Sequence, residues 1–259
     1  MRDTDLRSSE LWVCHLGLVP YSDGVAIQET LRERRIADEV PDTLLLLEHP
    51  PVYTRGRRSG AEDLPFGEDF YRAKGIEVHT TDRGGRLTYH GPGQLVGYPI
   101  MAIEDVGSYL RTMEAAIIAA LAEEGVGARS RHDEGIDYTG VWVQERKIAS
   151  IGVHVSRGVT THGFAINVVN DLEPFSWVIA CGLPGVAMTS LQSELGLARS
   201  TGLECMRRRV GFNFARAHGR RQRLVSPWRL GLETAHPSRL AAERAPIKIV
   251  RPARETIPA

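Results

Sequence analysis

Residues 83–100 restrict the fold more than any other stretch of the sequence. They read RGGRLTYHGPGQLVGYPI and include five glycines and two prolines. Gly91-Pro92-Gly93 must turn the chain, because proline fixes φ and glycine permits positive φ. Strand-like residues flank this turn at 87–90 and at 94–101. The segment therefore predicts a tight hairpin.

The first arm of the predicted hairpin carries three side chains that can contact a ligand, Arg83, Tyr89 and His90. Gly84 and Gly85 come just before it and can adopt backbone angles closed to other residues, which leaves their amides open to a close approach. A glycine-rich hairpin is equally compatible with a purely structural turn. A function for this segment therefore needs support from the rest of the chain.

Strand-like runs outnumber helical ones in the remainder of the chain. Strands are predicted at 11–18, 43–47, 52–55, 76–80 and 159–169, with a second hairpin at 141–155. Helices are predicted at 22–38, capped by Ser22 or Asp23, at 105–124, capped by Asp105, and at 203–218. In the second helix, Val106, Tyr109, Leu110, Met113, Ile117 and Leu121 form one apolar face. Because helices do not separate the strands one by one, the pattern favours an α+β domain with a mixed or antiparallel sheet.

Composition divides the chain into two unequal parts. The 259 residues are 42% hydrophobic and carry no net charge, which is ordinary for a soluble globular protein and argues against a general nucleic-acid binder. Residues 220–259, however, contain nine Lys/Arg, three Asp/Glu and several prolines. We therefore expect a folded domain over residues 1–219 and a basic, poorly ordered extension over residues 220–259.

Cysteine usage and hydropathy predict a soluble, cytoplasmic protein. Three scattered cysteines are too few for a disulfide framework, and no Cys or His pair has zinc spacing. The first ten residues lack the apolar core of a signal peptide. The longest apolar run, at 115–122, is far shorter than the ~20 residues that a membrane span needs.

Cys181 is the sharpest candidate for chemistry. It lies in the loop-like sequence ACGLPG, where a glycine follows it and substrate could approach closely. A thiol with a pKa of ~8.5 is mostly protonated at pH 7, so a nucleophilic cysteine needs a base or a cation beside it. An unreactive loop thiol is the alternative. Cys14, in an apolar strand, is predicted to be a small buried hydrophobe.

Two kinds of residue could activate Cys181. Lys147 leads an otherwise apolar strand, and its ammonium would stabilise a thiolate. A lysine beside a hairpin turn is more often simply solvated. The histidines His90, His154 and His162 could act as the base instead, although a lone histidine on a strand is more often structural.

Two further features permit a binding function. Arg55, Arg57 and Arg58 form a basic loop, which is either a solvated face or a landing site for an acidic partner or a phosphate group. The segments 150–152 and 163–165 mix small and apolar residues. That composition suits the walls around an extended acyl chain and equally suits close strand packing.

Four segments, in order, resemble the octanoyltransferases of the lipoate pathway over roughly residues 10–200. They are LLLLEHPPVYTRGRR, RGGRLTYHGPGQLVGYPI, RKIASIGVHV with THGFAINV, and the ACG that contains Cys181. The resemblance implies the fold of the biotin/lipoate ligase superfamily. It also implies that Cys181 carries the acyl group as a thioester and that Lys147 lowers the pKa of this cysteine.

The resemblance further implies a binding site, partners and a reaction. The acyl-binding residues that the resemblance implies are Arg83, Gly84, Gly85, Arg86, Leu87, Thr88, Tyr89, His90, Ser150, Ile151, Gly152, Gly163, Phe164 and Ala165. Octanoyl-acyl carrier protein would be the donor, and the acceptors would be lipoyl domains of 2-oxoacid dehydrogenase E2 subunits and the glycine cleavage H protein. The ping-pong reaction would need no cofactor, metal or nucleotide. The chain departs from the family pattern in having Ala180 before Cys181, where proline is common.

Two alternatives remain open from the sequence. An ATP-dependent lipoate or biotin ligase on the same fold would activate a free acid and would not need Cys181. A non-catalytic protein that binds acyl groups or lipoyl domains is the other. The presence of both Cys181 and Lys147 argues against a pure binder, which would have no use for the pair.

Overall fold

The computed structural model describes residues 9–180, 185–196 and 202–232. The strands are β1 (Glu10–Leu18), β2 (Thr43–Glu48), β3 (Val52–Arg55), β4 (Glu77–Thr80), β5 (Thr88–His90), β6 (Gln94–Ile100), β7 (Arg129–Ser130), β8 (Gly140–Val143), β9 (Arg146–Ser156), β10 (Val159–Asn167) and β11 (Arg221–Val225). The α-helices are α1 (Tyr21–Ile36), α2 (Glu68–Ala73), α3 (Val106–Ala122), α4 (Glu173–Ser176), α5 (Leu191–Leu195) and α6 (Leu203–Ala217). Short 3₁₀ turns include Ala61–Asp63, His132–Glu134, Ile136–Tyr138 and Pro227–Leu230.

A mixed sheet forms the centre of the fold. Within the described ranges it has eight strands in the order β11-β1-β2-β6-β10-β9-β8-β7. Strand β1 pairs in parallel with β11 and β2, and the remaining neighbours are antiparallel. The prediction of an α+β fold with a mixed sheet is confirmed. The apolar run of β2 explains its central place, because Leu44 and Leu46 pack on one face of the sheet and Leu45 and Leu47 on the other.

Helices α3 and α6 cover one face of this sheet. The predicted apolar face of α3 is confirmed for Tyr109, Met113, Ile117 and Leu121, which are all in the main core cluster. The predicted cap is also confirmed, because the Asp105 carboxylate accepts a hydrogen bond from the Ser108 amide at 2.6 Å. Val106 does not belong to this buried face, since it is 43% exposed in the first turn of the helix. No helix in the described part of the chain is long and apolar enough to cross a membrane.

The tight hairpin predicted around Gly91-Pro92-Gly93 is wrong, although the turn itself is present. Strand β5 pairs with β3 in a second sheet of order β4-β3-β5, whereas β6 pairs with β2 and β10 in the large sheet. The Gln94 amide donates to the Gly91 carbonyl at 3.1 Å, and Gly93 has a φ of 89°. Turn residues specify that the chain reverses, but the partners of each arm are set by distant strands.

Two other local predictions have different outcomes. The hairpin of β8 and β9 is confirmed, and Gln144 adopts a φ of 53° in its turn. Neither Ser22 nor Asp23 caps α1, which follows Pro20 without a side-chain cap hydrogen bond. Asp23 lies instead in the first turn, where a carboxylate interacts favourably with the positive end of the helix dipole.

The predicted extension after residue 219 is wrong for its first residues. Strand β11 extends the large sheet, and Leu230 is fully buried in the second core cluster. Arg221 and Arg223 both form ion pairs with Glu10. Local sequence could not reveal this strand, because its partner β1 lies about 210 residues earlier in the chain. Residues 233–259 lie outside the described ranges.

A buried histidine, His49, links the start of α1 to the large sheet. Its Nδ1 donates to the Val19 carbonyl at 2.6 Å, and its Nε2 accepts from the Tyr98 hydroxyl at 2.6 Å. Burial lowers the pKa of His49 to about 4, from an ordinary value of 6.5. The native structure therefore holds this imidazole in its neutral form.

The burial of Leu230 predicts that this residue contributes to stability. Leu230→Ala should reduce the free energy of unfolding by about 2–4 kcal/mol, because the substitution removes buried methyl groups and leaves a cavity. The matched control is Leu224→Ala, since Leu224 is 65% exposed on the neighbouring strand. That change should stay within about 0.5 kcal/mol. Urea unfolding of both variants provides the comparison, and equal small effects would contradict the packing of Leu230.

The neutral state of His49 predicts a loss of stability in acid. Because its folded pKa lies below its unfolded pKa, the unfolded chain binds the proton first as the pH falls from about 6.5 towards 4. This residue alone should contribute about 2 kcal/mol of destabilisation between pH 7 and pH 5. His49→Gln should flatten the pH dependence by about that amount, and the exposed His132→Gln should not. Identical pH profiles for wild type and His49→Gln would show that the fold accepts the proton.

Candidate active site

A cavity of about 340 Å³ is lined by residues from both sheets. Its volume is at the lower end of the range for small-molecule sites, about 300–1,000 Å³. The predicted acyl-binding residues that line it are Arg83, Gly84, Gly85, Arg86, Leu87, Thr88, His90, Ser150, Ile151, Gly152, Gly163, Phe164 and Ala165, together with Lys147. Tyr89 is placed elsewhere, in an aromatic cluster with Tyr53 and Phe175. The cavity thus brings together segments that lie far apart in sequence.

Arg83 fixes the glycine turn that forms one wall. Its side chain is buried, and Nη2 donates to the Thr54 carbonyl at 2.6 Å and to the Thr54 hydroxyl at 2.8 Å. The Gly84 amide then donates to the Val153 carbonyl of β9 at 2.9 Å. This approach requires glycine on the opposite strand as well, because a Cβ atom on Gly152 would lie 2.7 Å from the Gly84 carbonyl oxygen. Arg83 therefore helps to hold the backbone of the glycine turn in place.

His90 is held neutral in a defined tautomer by Gln94. The Gln94 Nε2 donates to the Tyr89 carbonyl at 3.1 Å and to Asn167 Oδ1 at 2.9 Å, which fixes the orientation of its amide. Gln94 Oε1 must then accept from His90 Nδ1, at 2.8 Å. Burial lowers the pKa of His90 well below its ordinary value. Nε2 of this cavity-lining imidazole is consequently a hydrogen-bond acceptor.

The same hydrogen-bonded chain reaches the main chain beside Lys147. Asn167 Nδ2 donates to the Thr189 carbonyl at 3.0 Å, and the Thr189 amide donates to the Lys147 carbonyl at 3.0 Å. The Lys147 amide in turn donates to the Ala187 carbonyl at 2.9 Å. Residues 187–189 are therefore held against β9 by main-chain bonds and by one buried side-chain amide.

Two other candidate bases share one carboxylate. His162 Nε2 lies 2.8 Å from Asp82 Oδ1, and His154 Nε2 lies 3.4 Å from Asp82 Oδ2. Burial lowers the pKa of His162 to about 4 in spite of this acidic partner. His162 lines the cavity, and His154 is not among the lining residues. Both imidazoles are engaged by Asp82.

Lys147 is buried in the cavity wall, so the alternative of a solvated lysine is wrong. Its side chain is 2% exposed, and Nζ lies 5.2 Å from the centre of the Trp142 ring. The opposite strand has Gly140 at this level, where a Cβ atom would lie 2.7 Å from Lys147 Cε. An aromatic face and a missing side chain thus make the space for a buried cation.

Cys181 lies outside the described residues, but the chain on either side of it is placed. Ala180 is buried in the aromatic cluster of the small sheet, and residues 187–189 are bound to Lys147 as described. Cys14 is fully buried, which confirms the prediction of a small buried hydrophobe, and burial raises its pKa to about 12. Cys205 is exposed on α6.

Only two of the three arginines of the basic loop line the cavity. Arg57 and Arg58 line the cavity, and Arg58 Nη1 lies 2.7 Å from Asp137 Oδ1. Arg55 is turned away from it and pairs with Glu68 at 3.1 Å. The loop backbone is fixed to the glycine turn, because the Arg58 amide donates to the Gly85 carbonyl at 3.1 Å.

Several lining residues were not identified from the sequence. Tyr21 on α1 stacks on His90 with a centroid distance of 6.4 Å, and Tyr98 on β6 also lines the cavity. Asp137 lies in a 3₁₀ turn that has no periodic pattern. Only a three-dimensional arrangement brings these residues together, although the aromatic content of HGPGQLVGYPI was a usable signal for Tyr98. No group of metal-ligating side chains in the described ranges is arranged to hold a metal ion.

Three known proteins with similar sequences are octanoyltransferases. An octanoyltransferase of Rubrobacter xylanophilus is 50% identical over 184 residues, which cover 70% of this chain and 81% of the relative. An octanoyltransferase of Acidothermus cellulolyticus is 50% identical over 188 residues, with 70% and 81% covered. One from Caldicellulosiruptor saccharolyticus is 45% identical over 191 residues, with 72% and 80% covered.

Two solved structures with the same fold are lipoate protein ligases. Lipoate-protein ligase A bound with ATP has a TM-score of 0.69 at 19% identity, with 91% of this chain and 93% of that chain covered. A bi-partite lipoate protein ligase of Thermoplasma acidophilum has a TM-score of 0.65 at 18% identity, with 91% of each chain covered. Residues 20–214 match the model of the lipoyl protein ligase A/B catalytic domain. The chain therefore belongs to the lipoyl protein ligase A/B catalytic domain family and, within it, to the octanoyltransferases, acyltransferases of lipoate biosynthesis and protein lipoylation.

Proposed function

We propose that this acyltransferase moves an octanoyl group from acyl carrier protein to the lysine of a lipoyl domain through a thioester on Cys181. The observation that carries the proposal is the burial of Lys147 in the wall of the cavity, at 2% exposure. Burying an ammonium group costs free energy, and a thiolate beside it would help to offset that cost. Lipoyl domains of 2-oxoacid dehydrogenase E2 subunits and the glycine cleavage H protein are the proposed acceptors.

Lys147 is suited to activate a nearby thiol. Its ammonium lies in a poorly solvated wall, where a positive charge favours the thiolate form of a cysteine more strongly than it would in water. The chain leaves Ala180 as part of a buried cluster and returns at residues 187–189 on the backbone of Lys147. Ala180 shares its cluster with Leu87, which lines the cavity, and residues 187 and 189 bond to the lysine backbone, which supports pairing of Cys181 with Lys147.

The cavity can hold the acyl chain while the first bond is exchanged. Leu87, Ile151, Phe164 and Ala165 give it apolar walls, and Gly152 adds no side chain. The Cys181 thiolate attacks the thioester carbonyl of the donor, and backbone amides would stabilise the oxyanion. A new carbon–sulfur bond forms, the donor's carbon–sulfur bond breaks, and the leaving carrier thiolate takes a proton from the Lys147 ammonium.

The second exchange regenerates the enzyme. The acceptor amine, after losing a proton, attacks the octanoyl-enzyme carbonyl, so that a carbon–nitrogen bond forms and the bond to Cys181 sulfur breaks. Lys147 can accept and return the proton, because an amine that has given up its proton is a competent base. The products are the octanoyl amide and the free cysteine. Neither step consumes a nucleotide.

Substitution of Cys181 tests the proposed nucleophile. Cys181→Ser should reduce octanoyl transfer by several orders of magnitude, because a serine hydroxyl is not ionised at neutral pH. Cys14→Ser and Cys205→Ser are the controls and should retain transfer. Octanoate incorporation is measured from octanoyl-acyl carrier protein, and from free octanoate with and without ATP. Full activity of Cys181→Ser, or a requirement for ATP, would overturn the proposed mechanism.

Substitution of Lys147 tests the proposed activation. Lys147→Met should return the pKa of Cys181 towards ~8.5, and each unit corresponds to about 1.4 kcal/mol of interaction. Alkylation of Cys181 by iodoacetamide should then be slow at pH 6 and recover near pH 9. Lys147→Arg should preserve the thiolate but fail in transfer to lysine, because guanidinium does not release its proton. Superimposable alkylation profiles of wild type and Lys147→Met would refute the pairing.

A further inference from the structure

We propose that Asp137 binds the ammonium group of the acceptor lysine at the rim of the cavity, in exchange for its ion pair with Arg58. This assignment rests on the proposed function, because it concerns the second substrate of that reaction. Asp137 is 42% exposed and also lines the cavity, so it is accessible to an incoming side chain.

The charge of the cavity makes a lysine a difficult substrate. The cationic residues that line it are Arg57, Arg58, Arg83, Arg86 and Lys147. Arg86 forms ion pairs with Glu62 and Asp63, which do not line the cavity. Asp137 is the one carboxylate among the described lining residues. Such a wall attracts an acidic carrier protein, the first substrate, and repels an ammonium group, the second. Asp137 is therefore the group that can offset this repulsion when the acceptor enters.

The position of Asp137 also fits the path to the reacting atoms. Its 3₁₀ turn is anchored on the aromatic ring that lies against Lys147, because Trp142 Nε1 donates to the Tyr138 carbonyl at 2.9 Å. Arg131 stacks on both Tyr138 and Trp142, at 4.6 Å from each ring centre. Asp137 thus lies at the exposed end of a rigid wall whose buried end is Lys147.

The present partner of Asp137 can be exchanged. Arg58 and Asp137 are each 42% exposed, and an exposed ion pair contributes little to stability. The contact is electrostatic and is not a well-aligned hydrogen bond, since Asp137 Oδ1 has no such bond among the described residues. The Arg58 side chain is free to turn towards an anionic carrier while its amide stays bound to Gly85. When the ion pair separates, Arg58 can bind the carrier protein and Asp137 can bind the acceptor lysine.

Asp137 binds the acceptor amine but is not proposed to deprotonate it. Asp137 binds the protonated amine, which must still release a proton before it attacks the octanoyl-enzyme. The net reaction converts the ammonium and the thioester into an amide, a free thiol and one proton. Asp137 therefore raises the local concentration of the acceptor and orients it, and Lys147 or water receives the proton.

Separate measurement of the two half-reactions tests this assignment. Asp137→Asn should form the octanoyl-enzyme from octanoyl-acyl carrier protein within about twofold of the wild-type rate. Transfer from the isolated octanoyl-enzyme to an apo lipoyl domain should fall at least about tenfold, chiefly as a higher KM that high salt reduces towards the screened limit. Deacylation of the same octanoyl-enzyme by hydroxylamine, which is largely uncharged at pH 7.5, should be unchanged.

Two further variants complete the experiment. Asp133→Asn is the matched control, because Asp133 is an exposed carboxylate in the neighbouring 3₁₀ turn and does not line the cavity. It should resemble wild type in every measurement. Arg58→Gln should raise KM for the donor without slowing transfer to the lipoyl domain. Equal slowing of lysine and hydroxylamine by Asp137→Asn, or no slowing of either, would overturn the role of Asp137. Failure of the wild type to form an octanoyl-enzyme would overturn the proposed function itself and this role with it.

Discussion

The close contact between the glycine turn and β9 is the constraint on which the cavity depends. The Gly84 amide bonds to Val153, and Gly152 leaves room for the turn by having no Cβ atom. Arg83 then ties the turn to Thr54 of the small sheet. These contacts hold the small sheet against the large one at a fixed distance, and the cavity is the space that remains. A side chain at Gly152 would clash with the Gly84 carbonyl oxygen and displace the turn from β9.

The second constraint on the cavity is the buried side chain of Lys147, which neighbouring residues accommodate. Lys147 packs between the Trp142 face and the bare backbone of Gly140. Its main chain is bound on one side by residues 187 and 189, and a buried amide of Asn167 supports that segment. Because so many contacts define its position, the ammonium cannot swing into solvent as a surface lysine does. The protein thus keeps a charge in a place where water screens it poorly.

The sequence predicted local features well and long-range pairings poorly. The mixed sheet, the face of α3 with its Asp105 cap, and the burial of Cys14 all follow from periodicity and residue type. The hairpin around Pro92 failed because a turn specifies reversal but not partners. The boundary at residue 219 failed because charge and proline content hid a strand whose partner lies at the other end of the chain.

The candidate site shows the same division. Motif resemblance selected most of the lining residues, whose roles in acyl binding remain predictions. The burial of Lys147 could not be read from the sequence, since it depends on Trp142 and Gly140 across a hairpin. Asp137 was missed because it lies in a short 3₁₀ turn, and Tyr21 because it lies just before the helix predicted at 22–38. The burial of Lys147 and the positions of Asp137 and Tyr21 all depend on packing between distant elements, which leaves no pattern in the local sequence.

The parallel pairing of β1 with β11 has a consequence for the order in which the chain is made. Strand β1 is synthesised about 210 residues before β11, and its outer edge is covered only when residues 221–225 have been synthesised. Until then the growing chain presents an apolar strand with unpaired backbone groups, the kind of edge that recruits other strands. Among the described strands, the one that covers this edge is the last to be synthesised, so the edge stays open during most of the synthesis of the sheet.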